Sequence, residues 1–130
     1  MTLKDILIHP QDIYCVGRLW IFGKDDKLMG PGRVELLEKI QETGSINQAA
    51  KLMQMSYKKA WELVNSMNNQ TIKPLVITKT GGKEGGGAII TDEAKFLIAL
   101  FKDAQKKFDE YLANETKKML HSDSFENSGL

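Results

Sequence analysis

The sequence predicts a mainly α protein with a small amount of β structure. The expected architecture is a winged helix-turn-helix with an N-terminal β-hairpin and a long C-terminal dimerisation helix. Two helix starts lie close together, at Ser45 and Ser56, and a glycine-rich run separates two short apolar segments at 75–78 and 88–90. A helical pattern then extends over residues 92–118. Together, these three observations predict the fold.

The chain of 130 residues suits one domain with an appended element. We expect residues 1–12 to form a lead-in and residues 13–91 to form the winged helix-turn-helix. Residues 92–118 are the predicted dimerisation helix. Residues 119–130, which are mostly polar, are expected to be a disordered tail.

The first regular element is a predicted strand over residues 13–22, which are rich in β-branched and aromatic side chains. A polar turn follows, and Leu28 and Met29 begin the return strand of a hairpin. The only cysteine, Cys15, lies in this apolar run, so we expect a small buried side chain and no internal disulfide.

A helix is predicted from Gly30-Pro31-Gly32 to about Glu42, because proline is tolerated in the first helical turn. Gly44 supplies the left-handed residue that ends it. Ser45 and Gln48 then have the spacing of a capping box, and Ser56 caps a second helix only eleven residues later.

Two short helices joined by a sharp corner are typical of a helix-turn-helix. The apolar stripe of the second helix comprises Tyr57, Ala60, Trp61, Val64 and Met67. We interpret Trp61 as scaffold. Helical hairpins are also common as plain core elements, so by this pattern alone both interpretations stay open.

The opposite face of the second helix favours nucleic-acid binding. It carries Lys58, Glu62, Asn65 and Asn69, with Lys59 and Ser66 beside them. Lysine can contact phosphate or guanine, and asparagine can bond adenine in two places. Lys58 and Glu62 also have the spacing of a surface ion pair, so an ordinary solvated face remains the alternative.

The glycine-rich run predicts a wing. Lys83 is followed by Glu84 rather than by Ser or Thr, which argues against a nucleotide-binding P-loop. Glycine lets the backbone approach DNA closely, and Lys79 and Lys83 add positive charge on either side.

The positive charge is local. Residues 1–55 and residues 92–118 each sum to zero, whereas residues 56–91 carry five lysines against Glu62 and Glu84, a net charge of +3. A basic patch on a nearly neutral chain is typical of specific nucleic-acid binding.

The last helix begins at Thr91, with Asp92 and Glu93 in the first turn, where the helix dipole favours acidic groups. It is too long to bury its apolar stripe against so small a domain, which predicts a homodimer. The stripe residues are Leu97, Phe101, Ala104, Phe108 and Tyr111.

Other functional classes fit poorly. The candidate nucleophiles and bases, His9, His121 and Cys15, are scattered, and no metal-ligand spacing occurs, so we expect no enzyme activity. The N-terminus lacks the pattern of a signal peptide, and no apolar run approaches membrane-spanning length. We therefore expect a cytoplasmic protein that has no membrane partner.

The chain resembles the N-terminal DNA-binding domain of the ModE family, the molybdate-responsive regulators, whose winged helix is similar to that of LysR-type regulators. The resemblance covers about residues 14–118. It rests on Gly-Arg-Leu-Trp-Ile at 17–21, Gly-Pro-Gly-Arg at 30–33, Gly-Ser-Ile at 44–46, Ala49-Ala50, Ser-Tyr-Lys-Lys-Ala-Trp at 56–61, Asn65, Met67-Asn68, Gly-Gly-Lys at 81–83, the glycines at 85–87 and Thr91.

The resemblance implies a homodimer built through the hairpin and the long helix, with the second helix of the motif in the major groove of double-stranded DNA. The predicted DNA contacts are Ser45, Gln48, Ser56, Tyr57, Lys58, Lys59, Glu62, Asn65, Lys79, Gly82, Lys83 and Gly85. The family's molybdate-binding domains follow the long helix, and this sequence ends about twelve residues past it. We therefore expect a single-domain form that has no cofactor, or one that responds to an effector held by a separate protein. The alternative function is a winged-helix protein-interaction module that does not bind DNA.

Overall fold

The computed structural model describes residues 1–79 and 87–122, which form four α-helices and two antiparallel hairpins. Short 3₁₀ turns at Leu3–Asp5 and Pro10–Asp12 come first. The elements that follow are β1 (Ile21–Phe22), β2 (Lys27–Met29), α1 (Pro31–Thr43), α2 (Ile46–Leu52), α3 (Tyr57–Asn68), β3 (Val76–Lys79), β4 (Gly87–Ile90) and α4 (Asp92–Leu120). The predicted mainly α fold with small β elements is confirmed.

The chain divides into two compact units. The larger unit, Arg18–Asp103, contains both hairpins, helices α1 to α3 and the first part of α4. The smaller unit combines Met1–Gly17 with Ala104–Leu130, which includes the rest of α4.

The core of the larger unit is built by α1, α2, α3, both hairpins and the first part of α4. Leu36, Leu37 and Ile40 of α1 and Met67 of α3 have no exposed surface, and Leu75 closes the core beside them. Burial of one such side chain stabilises the fold by about 1.5–3 kcal/mol. The apolar side of α3 is therefore structural, and its other side is exposed.

The helix-turn-helix is capped as predicted at both starts. Ser45 Oγ accepts a hydrogen bond from Gln48 N (3.1 Å), and Ser56 Oγ accepts one from Lys59 N (3.0 Å). The reciprocal half of the predicted capping box is wrong, because Ser45 N donates to the nearer Thr43 Oγ1 (3.2 Å). The corner between the helices places Gln54 in the left-handed region, at φ 55°.

Gly44 joins α1 to the wing. Its φ of 70° lies in the left-handed region that glycine tolerates, and its amide bonds Ile40 O, so α1 ends here as predicted. Its carbonyl accepts a hydrogen bond from Ala88 N of β4 (2.8 Å). A single residue therefore ends the helix and fixes the base of the wing.

The predicted strand over residues 13–22 is too long, since only Ile21–Phe22 pairs with β2. In the smaller unit, the segment up to Gly17 is hydrogen-bonded to side chains of α4. Cys15 N donates to Thr116 Oγ1 (2.9 Å), and Gln105 Nε2 donates to Gly17 O (3.0 Å). Helix side chains take the place of a partner strand. Cys15 is half-buried and lies outside the core, so its predicted burial is also wrong.

The two-stranded wing is fixed to α3 by one amide side chain. β3 pairs with β4 in antiparallel register, with Val76 opposite Ile90. Asn68 Oδ1 accepts hydrogen bonds from Leu75 N (2.8 Å) and Val76 N (3.2 Å), and Asn68 Nδ2 donates to Val76 O (3.0 Å). Asn68 therefore sets where β3 begins.

Within residues 1–79 and 87–122, no helix combines the length and the apolar character that crossing a membrane would require.

Removal of the Asn68 side chain should destabilise the fold. Asn68→Ala leaves the backbone groups of Leu75 and Val76 without these partners, and we expect the free energy of unfolding to fall by about 1–3 kcal/mol. Urea denaturation measures this. The control is Asn69→Ala at the next, exposed position, which should change stability by less than about 0.5 kcal/mol. Equal effects of the two substitutions would contradict the assignment.

Candidate nucleic-acid interface

The outward face of α3 presents three of the predicted contact residues to solvent. Lys58, Glu62 and Asn65 are all exposed, and their spacing along α3 places them on one side of the helix. Among the described residues, no ion pair joins Lys58 to Glu62. The surface ion pair that this spacing allows is therefore not formed, and both side chains are exposed.

The N-terminus of α3 adds backbone donors. Helix geometry leaves the amides of Tyr57 and Lys58 without an intrahelical acceptor, since the Ser56 cap bonds the amide of Lys59. Such a terminus favours phosphate. The ring of Tyr57, which is 52% exposed, packs edge-on against Trp61 at 6.0 Å between centroids. Trp61 is half-buried against the core, as its scaffold role requires.

The predicted contacts outside α3 are less complete. Gln48 on α2 is exposed, whereas Ser45 is half-buried and already engaged as the cap. Lys79, the last residue of β3, is exposed at the start of the wing loop. The other three predicted wing contacts lie outside the described residues: Gly82, Lys83 and Gly85.

A cavity of about 480 Å³ runs beside α3 in the larger unit. Lys59 and Glu62 line it together with Asp26, Arg33 and Ser66. Two predicted contact residues are thus brought next to a polar cluster that the sequence did not predict.

We call this cluster the Arg33 network: Arg33, Asp26, Ser66, the backbone of Lys27, and Gln70. Arg33 Nη1 donates to Lys27 O (2.7 Å) and to Ser66 Oγ (2.9 Å), and Nη2 lies 3.5 Å from Asp26 Oδ2. Gln70 Nε2 donates to Lys27 O (2.7 Å). The network therefore joins the first hairpin, α1 and α3.

Asp26 is the acidic member of the network. The Ser66 hydroxyl donates to its carboxylate, and so does the amide of Lys27 (2.7 Å). These two hydrogen bonds, assisted by the Arg33 charge, hold the pKa of Asp26 below its ordinary value of 3.8. The carboxylate is therefore stabilised in its ionised form.

The sequence placed Ser66 beside the exposed contact face, and the structure adds that it bonds Asp26 and Arg33, which the sequence did not indicate. The only sequence signal for the network was the Gly-Pro-Gly-Arg run at 30–33, which contains Arg33 but gives no indication of its partners.

The predicted dimerisation residues divide between the two units. In the larger unit, Phe101 is buried in the core of its own chain and Leu97 packs partly against that core. In the smaller unit, Ala104 and Tyr111 are exposed, and Phe108 is half-buried beside Gly17.

The smaller unit buries little apolar surface. Within its described residues, 1–17 and 104–122, no apolar side chain is fully buried. Its large exposed apolar side chains are Met1, Ile6, Leu7, Ile8, Tyr14, Val16, Tyr111 and Met119. These side chains are the candidates in the smaller unit for a surface that contacts another molecule.

Within the part of the chain that the structure describes, no group of three or more His, Cys, Asp or Glu residues is arranged to hold a metal ion.

The chain is similar to several transcription regulators. It is 49% identical over 71 residues to "Transcriptional regulator ModE" of Haemophilus influenzae, a match that covers 55% of this chain and 28% of the relative. It is 45% identical over 83 residues to "DNA-binding transcriptional dual regulator ModE" of Escherichia coli (strain K12), which covers 61% and 32%. It is also 48% identical over 73 residues to "Molybdenum-pterin-binding protein MopB" of Rhodobacter capsulatus, which covers 56% and 27%.

These matches confirm the resemblance to the ModE family over the matched part of the chain. The chain spans about 30% of the length of the curated relatives it matches. No protein-family model matches it. Two of these three relatives are named as transcriptional regulators, and none of the three is named as an enzyme.

Protonation of Asp26 should weaken the fold in acid. Folding lowers the pKa of Asp26, so its contribution to the free energy of unfolding is complete above pH 3.8, its ordinary pKa. That contribution is lost as the pH falls below 3.8 towards the lower pKa of the folded state. We expect Asp26→Asn to be less stable than the wild type near neutral pH, with the difference shrinking below pH 3.8. Urea denaturation at a series of pH values measures this.

The matched control for Asp26 is Asp25→Asn. Among the described residues, the side chain of Asp25 makes none of the network's hydrogen bonds. A stability difference for Asp26→Asn that stays constant from pH 2 to pH 7 would contradict the role of its ionised carboxylate.

Proposed function

We propose that this chain, which is homologous to ModE regulators over 55 to 62% of its residues, is a sequence-specific DNA-binding transcription regulator that acts as a homodimer. The observation that carries the proposal is the exposed face of α3, where Lys58, Glu62 and Asn65 stand beside an N-terminus suited to phosphate. On this proposal α3 is the recognition helix in the major groove, and the protein works in the cytoplasm without enzyme activity.

The residues divide into two roles on the DNA. Lys58, Glu62 and Asn65 would contact base edges, because their side chains carry the donors and acceptors that read the major groove. Ser56, Tyr57 and Lys59 would contact phosphates at the start of α3, as would Lys79 at the wing. Ser45 and Gln48 would meet the backbone beside α2.

The exposed apolar surface of the smaller unit supports the homodimer. A unit that buries so little of its own apolar surface gains stability by pairing, and a second copy supplies the same surface by two-fold symmetry. A dimer would also present two α3 helices to two half-sites of DNA.

Selection of binding sites from random DNA duplexes by the purified protein tests the function. We expect enrichment of a palindromic sequence, because a two-fold dimer reads two equivalent half-sites. Enrichment should be the same with and without molybdate, since we expect no cofactor in this chain; a shift on adding molybdate would overturn that expectation. If no sequence is enriched, the alternative of a protein-interaction module is favoured.

Lys59→Ala should weaken binding to all DNA sequences alike. Loss of one phosphate contact should reduce the slope of log affinity against log salt concentration by about one. Fluorescence anisotropy at several salt concentrations measures this. The matched control is Lys95→Ala on α4, an exposed lysine outside the predicted interface, which should keep the wild-type slope. An unchanged slope for Lys59→Ala would rule out its phosphate contact.

Tyr111→Glu should convert dimer to monomer. Tyr111 is 57% exposed in the single chain, and burial of a carboxylate at an apolar interface is costly. Sedimentation velocity over a range of concentrations measures the change. The control is Lys106→Glu, which places the same charge at an exposed position on another side of α4. Wild-type dimerisation of Tyr111→Glu would place the interface elsewhere.

A further inference from the structure

Among the described residues of the larger unit, the Arg33 guanidinium is the most deeply buried charge, with 7% of the residue exposed. Its bonds to Lys27 O and Ser66 Oγ and its contact with Asp26 engage the first hairpin and α3 at once. A buried charge persists only when its donors are satisfied, so these partners hold one another in fixed positions.

Ser66, the α3 member of this network, lies on the same side of the helix as two predicted DNA contacts. Lys59, Glu62 and Ser66 follow the spacing i, i+3 and i+7, and all three line the same cavity. This side of α3 is therefore anchored through Ser66 in the C-terminal half of the helix. The same side carries Lys59 and Glu62 nearer to the N-terminus of the helix.

We propose that Ser66 is a positioning residue for DNA recognition. Through Arg33 and Asp26 it fixes the rotation of α3 about its own axis, and this aims Lys58, Glu62 and Asn65 at the base edges. The inference rests on the proposed DNA-binding function. It adds a specificity determinant that does not itself touch DNA.

The geometry explains why rotation matters. Successive residues of an α-helix are separated by 100° around the axis, so a small turn of α3 displaces every side chain of its contact face together. Bidentate contacts to bases depend on geometry far more than contacts to phosphates do. A released anchor should thus impair sequence discrimination and spare general DNA affinity.

The test compares affinity for the selected site with affinity for random DNA, in the wild type and in Ser66→Ala. We expect the ratio of the two affinities to fall about tenfold, the effect of one hydrogen bond between a neutral and a charged group. Affinity for random DNA and its salt slope should not change. A loss of folded protein would lower both affinities equally and leave the ratio intact.

Asp26→Asn supplies a second variant, which keeps the shape of the side chain and removes its charge. The two substitutions should be non-additive in a double-mutant cycle, because they affect the same anchor. The control is Glu38→Gln, which removes the surface ion pair between Glu38 of α1 and Lys102 of α4 and should leave the ratio unchanged.

A wild-type ratio in folded Ser66→Ala and in Asp26→Asn would overturn the positioning role and leave the proposed function standing. An equal loss of both affinities would assign the network to stability alone and overturn it as well. Failure of the wild type to discriminate any DNA sequence would remove the proposed function and this inference together. Should Ser66→Ala not fold, the ratio measured for Asp26→Asn decides.

Discussion

Burial of the Arg33 guanidinium is the constraint on which the arrangement of the larger unit depends. A charge this deep is stable only if acceptors surround it, and they come from Lys27 in the hairpin, from Ser66 on α3 and from Asp26 in the turn. Arginine suits the task because its planar group donates in several fixed directions at once. The small N-terminal hairpin therefore serves as a brace for α3, in addition to placing Met29 in the apolar core.

The two compact units differ in how their apolar residues are used. In the larger unit, α1, α3 and the wing base enclose fully buried side chains such as Leu36, Leu37 and Met67. In the smaller unit, side chains such as Ile6, Ile8 and Val16 remain exposed. A sequence can thus carry an ordinary proportion of apolar residues and still leave many of them exposed in the single chain.

Most helices and both caps of the motif could be predicted from sequence, because their signals are local. A serine at a helix start accepts from the amide three residues later, and a glycine follows the end of a helix. The errors arose where distant residues decide. Cys15 and Gly17 lie in a segment with strand propensity, but they bond α4 side chains more than eighty residues away. Ser66 looked like a surface residue because its partner Asp26 lies forty residues earlier. In the candidate interface, helical spacing predicted the exposed face of α3. It could not predict that Ser66 anchors this helix to Asp26 and Arg33. Such pairings depend on tertiary contacts that no local pattern encodes.

The two roles of Gly44 limit how the sequence can change at this position. Three sets of hydrogen bonds hold the wing. Ala88 N donates to the Gly44 carbonyl, the Asn68 side chain bonds the start of β3, and β3 pairs with β4 up to Lys79 and Gly87. Any side chain at position 44 would strain the left-handed end of α1 and, through the same residue, the hydrogen bond that holds β4. Descendants of this sequence should therefore keep glycine at this position even where neighbouring residues change.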